Sequence, residues 1–281
     1  MSDTELEQQI RRILVALDAS PHSLAALEAA AELAARLEAE LLGLFVEDIN
    51  LLRSAGLPFA REVGALSSTP QRLDSQRMER ELRAQANRAR RAMARIAGRT
   101  RVRWSFRVTR GQVASEVLAA ASEADLISLG KAGWSWPGRG QLGSTARGVF
   151  AQARCHALLA QRGIRLAAPV AVVYDGSPSA KRALNTAARL MRGRRDPLIV
   201  FLLGNDAEHA LQLRNEVQQE LQAQEVEARF HDLTGVDLSR LAQVFRSAGA
   251  GLVILPAESP RLPGEQLQRL LGEMECALVV R

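Results

Sequence analysis

One segment of the chain occurs twice. Ile13-Leu-Val-Ala-Leu-Asp18-Ala-Ser20-Pro21 returns as Val170-Ala-Val-Val-Tyr-Asp175-Gly-Ser177-Pro178, at a constant offset. The register carries into the next segment, where Leu27, Ala30, Ala31 and Leu33 meet Leu184, Ala187, Ala188 and Leu190. Self-similarity of this kind outweighs local propensity, so the two copies are expected to share one fold. A length of 281 residues with 47% hydrophobic content gives the copies enough apolar surface for packed cores. The boundary is expected around Gly163 to Ala168, dividing the chain into domains 1–165 and 166–281.

Within the first copy, short apolar runs alternate with amphipathic segments. The pattern predicts strands over Ile13–Leu17, Glu40–Val46, Val102–Val108, Asp125–Leu129 and His156–Ala160. Between them it predicts helices over Ser23–Glu38, Asp74–Ala97, Val113–Ser122 and Ser144–Ala153. The second copy repeats the plan, with strands near Val170–Tyr174, Leu198–Leu203, Glu225–His231, Gly251–Leu255 and Ala277–Val280. Strands alternating with helices imply an α/β fold, a parallel sheet covered on both faces.

Glycines then mark where chemistry belongs. Gly130-Lys-Ala-Gly133, nine residues, and Gly143-Ser144-Thr145 follow the apolar run ending at Leu129 and precede a helix. Glycine after a buried strand lets backbone N–H groups approach an anion, and a helix start favours negative charge. Ligands of open parallel sheets sit beyond the carboxyl ends of the strands, where strand order reverses. Asp18, Val46 and the glycine loop converge there in the first copy. Lys131 and Arg139, inside the loop, are candidate partners for phosphate charge. Two structural readings stand beside these: Asp18 as a cap for the following helix, and Gly130 and Gly133 as turn residues.

Composition argues against several classes. The net charge of +6 is mostly arginine crowded between Arg72 and Arg110. There the arginines interleave with Glu79, Glu81 and an apolar stripe, Leu82, Ala86, Ala89, Met93 and Ile96, as on a solvated amphipathic helix. Aromatic residues make up 4%, too few for base-stacking platforms, so nucleic acid is not an expected partner. No apolar run approaches a membrane span, and the first residues are acidic where a signal peptide is basic, so no membrane insertion and a cytoplasmic location are expected. Cys155 and Cys276 precede similar apolar runs and read as inert core thiols at equivalent positions. The histidines His22, His156, His209 and His231 fall in different segments, and His22 reads as a solvated helix-start residue. No metal-ligand spacing and no nucleophile beside a base is visible, so catalytic and metal residues are not expected and the chain reads as a non-enzyme, with slow phosphoanhydride hydrolysis left open.

The strand ending in Asp18, the Ser20-Pro21 turn before an alanine-rich helix, Gly111 after the third strand, Leu-Ile-Ser-Leu-Gly130 and the spacing G-x2-G-x9-G-Ser-Thr together resemble the universal stress protein family. The resemblance covers both copies. It implies two tandem Rossmann-like domains, each a five-stranded parallel sheet of order 3-2-1-4-5, in a nucleotide-responsive regulatory or stress-response protein. It also implies ATP, with or without Mg2+, as the cofactor. Carried onto matching positions, Ala16, Leu17 and Asp18 meet the adenine and ribose side, and Val46 meets adenine through its backbone. Leu129, Gly130 and Gly133 flank the ribose and phosphates, and Gly143, Ser144 and Thr145 hold the phosphate tail. An unidentified protein partner is implied, as is pairing of the two domains within one chain near Leu158 and Leu278, with homodimerisation left open.

The second copy departs at the decisive loop, which reads Pro256-Ala-Glu258-Ser-Pro260-Arg-Leu-Pro263-Gly264-Glu265. Proline lacks a donor and the glutamates repel phosphate, so one nucleotide site per chain is expected. The alternative is a structural or small-ligand module without nucleotide. The first copy also carries an irregular insertion over 47–70, whose Leu51, Leu52, Leu57, Phe59 and Val63 are expected to form a lid or to plug the sheet edge.

Overall fold

The computed structural model describes residues 10–57, 61–62, 71–72, 74–132, 142–161, 169–274 and 276–281. The first half runs β1 (Arg12–Ala16), α1 (Pro21–Leu37), β2 (Glu40–Asp48), α2 (Ile49–Ala55), the short pair β3 (Arg61–Glu62) and β4 (Gln71–Arg72), α3 (Ser75–Thr100), β5 (Trp104–Gly111), α4 (Val113–Ala121), β6 (Leu126–Gly130), α5 (Ser144–Gln152) and β7 (His156–Ala160). The second half follows with β8 (Val170–Tyr174), α6 (Pro178–Met191), β9 (Leu198–Leu202), α7 (Ala207–Ala223), β10 (Ala228–Asp232), α8 (Leu241–Ser247), β11 (Leu252–Pro256), α9 (Gly264–Glu273) and β12 (Cys276–Val280).

The repeated Asp-x-Ser-Pro segment builds the same corner twice. Ser20 caps α1 by accepting the Ser23 N–H at 3.1 Å, and Ser177 caps α6 by accepting the Ala180 N–H at 3.2 Å. Proline follows in each case at the first helical position, where its missing N–H costs nothing and its φ is already helical.

All the longer strands form one 10-stranded sheet of order β10-β9-β8-β11-β12-β7-β6-β1-β2-β5. Each half therefore contributes five parallel strands in the order 3-2-1-4-5. The halves join where β7 and β12 pair antiparallel, with Leu158 opposite Leu278. Both leucines are fully buried, so the seam is part of the core; burial of each side chain is worth about 1.5–3 kcal/mol.

Alternation along the strands feeds two cores. Ile13 and Val15 point to the face covered by α1, α3, α6 and α7, while Leu14 points to the face covered by α4, α5, α8 and α9. The α3 stripe Leu82, Ala86, Ala89, Met93 and Ile96 is buried, and the arginines between point outward.

Three expectations need correction. The third strand begins at Trp104 and runs to Gly111, because α3 continues to Thr100, whose hydroxyl donates back to the Ile96 and Ala97 carbonyls, and Arg101 then ends the helix in the left-handed region. The insertion is not structureless, because the Asp48 carboxylate accepts the Asn50 N–H and starts helix α2. The cysteines are not equivalent: Cys276 opens β12 as His156 opens β7, leaving Cys155 one residue earlier. Cys276 is buried and Cys155 half-buried, and burial pushes the Cys155 thiol up. Phe59, Val63, Gly133 and Arg139, and the expected domain boundary at 163–168, lie outside the described residues.

Candidate nucleotide site

The turn after β1 is set by Asp18. Its Oδ1 accepts the Ser20 N–H at 2.9 Å, which closes a tight corner through Ala19 at φ 59°. The helix cap itself is Ser20, so capping is not what Asp18 contributes. Across the corner lies the end of β6, where a side chain on Gly130 would meet the His22 carbonyl carbon and Ser23 nitrogen at 2.8 Å. Glycine is thus required at position 130 by the close approach of α1 to the sheet. His22 is half-buried rather than solvated, and its Nδ1 has no hydrogen-bond partner among the described residues.

Beyond β6 the loop is pinned at both ends. The Lys131 N–H donates to the Ala160 carbonyl, and the Lys131 carbonyl accepts the Gly143 N–H at 2.9 Å. That bond brings Gly143 back beside the sheet and starts α5 there. The helix has neither a side-chain cap nor an acidic residue in its first turn. Backbone N–H groups of a first turn have no partner within the helix, so an uncapped start is electropositive.

Together these corners enclose a cleft of about 640 Å3 at the carboxyl ends of β1, β2 and β6. Ala16, Leu17, Asp18, Val46, Leu129, Gly130, Gly143, Ser144 and Thr145 all line it. Of the described residues expected at the site, all but Lys131 therefore lie around one cavity. Its apolar wall is made by Leu44, Leu82, Val113, Val117 and Leu142, its rim by Leu51 of α2.

Lys131 does not supply charge there. Its ammonium donates to the Met274 carbonyl at 3.0 Å, in the second half. Arg147 lines the cleft instead, one turn into α5. A cation so near a helix start opposes the dipole, an unfavourable placement that is visible in the sequence. Gln85 of α3 also lines the cleft, and its position on the inner side of that helix was not distinguishable by periodicity.

In the second half the loop after β11 reaches the corresponding corner. Asp175 again shapes the corner, accepting the Ser177 N–H at 3.0 Å with Gly176 at φ 80°. Its other oxygen accepts from the Ser259 hydroxyl at 2.5 Å, and the Ser259 oxygen accepts the N–H groups of Arg261 and Leu262 at 3.1 Å. Ser259 and Leu262 are buried.

The universal stress protein family model matches residues 9–161, more than half of the chain. The chain belongs to the universal stress protein family. A solved universal stress protein from Archaeoglobus fulgidus has the same fold over 98% of this chain and 97% of its own, with a TM-score of 0.72 at 18% identity. A second family structure, from Pseudomonas aeruginosa, covers 98% of this chain and 94% of its own at 14% identity and a TM-score of 0.58. A shorter family member from Burkholderia pseudomallei is 28% identical over 54% of this chain and 96% of its own, with a TM-score of 0.38. No curated protein sequence matches. Among the described residues, no helix is long and apolar enough to cross a membrane, and no group of three or more His, Cys, Asp or Glu is placed to hold a metal.

Proposed function

We propose that this universal stress protein binds ATP in the cleft of its first half and acts as a nucleotide-responsive regulatory protein rather than a dedicated enzyme. The observation that carries the reading is the meeting of the Asp18 corner, Gly130 and the uncapped start of α5 around one cavity of nucleotide size. Adenine lies between the end of β2 at Val46 and the aliphatic wall. The ribose lies at Asp18 and Gly130, and the phosphates lie at Ser144 and Thr145. Arg147 adds a guanidinium that can pair with phosphate, alone or beside Mg2+.

Occupancy would bring charge to the start of α5 and contacts to the α2 rim, changing a surface that a protein partner reads. The second half, whose loop satisfies its own Asp175, serves as a fixed pairing partner. The test is nucleotide content. Mass spectrometry of gently purified protein is expected to find ATP, lost on Gly143→Asp, where a carboxylate stands at the phosphate position. Absence of nucleotide in both proteins, with no binding of added ATP by calorimetry, overturns the reading in favour of a structural or small-ligand module.

A further inference from the structure

A larger cleft, of about 1160 Å3, lies between the carboxyl-terminal ends of α1 and α6. One wall, from the first half, carries Arg11, Arg12, Arg36 and Arg103. The other, from the second half, carries Arg189, Arg192, Arg194 and Arg195. The cleft exists only because the two halves are joined in one sheet. Leu37 and Leu190 line it as well, which lowers the local dielectric.

The acidic residues in the cleft are mostly engaged already. Glu40 pairs with Arg12 at 2.5 Å, and Asp196 pairs with Arg194 at 3.2 Å. Glu123 is held by Arg107, whose two guanidinium nitrogens each reach a carboxylate oxygen at 3.0 Å. Asp125 Oδ2 accepts the N–H groups of Arg11 and Arg12 at 2.8 and 2.9 Å. Glu38 lines the cleft as well, and eight arginines against five acidic residues leave the lining positive, with Arg11, Arg36, Arg189 and Arg194 each holding a further partner. Guanidinium groups also crowd one another. Arg36 is pushed below its ordinary range, first by desolvation and then by Arg194, with Glu32 opposing. Arg189 is lowered by burial and then by Arg192. Like charges drawn together from two walls of a concave site are relieved when an anion enters.

We propose that this cleft is a second anion site, which binds compact polyphosphates between the two halves. Guanidinium forks match phosphate oxygens bidentately, and arginines on opposite walls engage a multiply charged chain better than a single carboxylate. The site is separate from the cleft at Gly143 and does not depend on ATP occupancy there.

The test is calorimetric titration of the full chain with sodium tripolyphosphate at low and at physiological salt. The variant carries Arg103→Gln and Arg195→Gln, exposed side chains taken from each wall. Circular dichroism confirms that it is folded. The double variant is expected to bind at least ten-fold more weakly, each single variant by an intermediate factor, and Gly143→Asp is expected to keep full tripolyphosphate affinity. Unchanged affinity in the double variant overturns the proposal. So does loss of binding in Gly143→Asp, which would assign the tripolyphosphate to the other cleft. Tighter binding of an oligonucleotide, lost in the same double variant, would replace polyphosphate by a nucleic-acid backbone.

Discussion

Asp175 Oδ2 accepts from Ser259 Oγ at 2.5 Å, whereas Asp18, its counterpart in the first half, lines a cleft of about 640 Å3. The two aspartates close the same turn with the same oxygen, while the second oxygen of Asp175 is taken by Ser259. Where the first half has a long glycine loop, Pro256-Ala-Glu258-Ser-Pro260 brings one buried serine onto the aspartate. Ser259→Ala removes the donor to Asp175 and the acceptor for Arg261 and Leu262 together. Unfolding by urea is expected to show a loss of about 1–3 kcal/mol, the cost of leaving buried polar groups unpaired. ATP binding in the first half is expected to be unchanged, and a variant as stable as the parent would mean that water replaces the hydroxyl.

The corner after β1 stores strain that the corner after β8 avoids. Ala19 sits at φ 59°, where the duplicated position carries Gly176 at φ 80°. A side chain in the left-handed region costs roughly 1–2 kcal/mol, partly offset by the greater freedom of glycine in the unfolded chain. Ala19→Gly is therefore expected to raise stability by about 1 kcal/mol, read as a higher urea midpoint at unchanged slope. A lower midpoint would show that the surrounding corner already relieves the strain.

Gly130 is limited by its neighbours and not by its backbone angles. A Cβ there would stand 2.8 Å from the backbone of His22 and Ser23, atoms that cannot swing aside. Gly130→Ala must push the start of α1 away from β6, at a cost of about 1–3 kcal/mol. The same shift moves the Asp18 corner, so ATP affinity measured by calorimetry is expected to fall together with stability. Loss of stability with affinity intact would separate the corner from the ligand.

Most of this architecture was legible because the sequence states it twice. The paired Asp-x-Ser-Pro corners placed β1, α1, β8 and α6, and the family resemblance, rather than any local pattern, placed the seam near Leu158 and Leu278, which lie opposite each other. The G-x2-G-x9-G-Ser-Thr spacing brought its described members to one cleft. Elsewhere local signals competed. Gly98 reads as a helix stop, yet α3 runs through it to Thr100, so the helix was ended and β5 begun too early. Helix α2 was hidden in an insertion where only Asp48, Asn50 and the leucines hinted at a capped turn. Lys131 looked like a phosphate ligand by position, but the pairing of β7 with β12 places the second half within its reach, and its ammonium goes to Met274. A contact across domains leaves no local trace in sequence.

His156 sits at this same junction and makes stability depend on pH. Its Nδ1 accepts the Arg281 N–H at 3.1 Å, which requires an unprotonated nitrogen. Burial holds the imidazole below its ordinary value; Asp125 opposes this, and Arg182 and Arg281 reinforce it. The folded state therefore disfavours the cation, and the unfolded chain, with a histidine pKa of about 6.5, takes up the proton first. Below that value the unfolded state binds more protons, so stability falls with pH until the folded-state pKa is passed, and then levels. Above about pH 8 the group contributes almost no slope. Urea unfolding between pH 7.5 and 5 is expected to show a decline that is shallower in His156→Gln, whose amide oxygen can still accept the Arg281 N–H. The comparison stays above pH 5 because carboxylates, with ordinary values of about 4, titrate below it. Parallel slopes in the two proteins would place the proton uptake on another group.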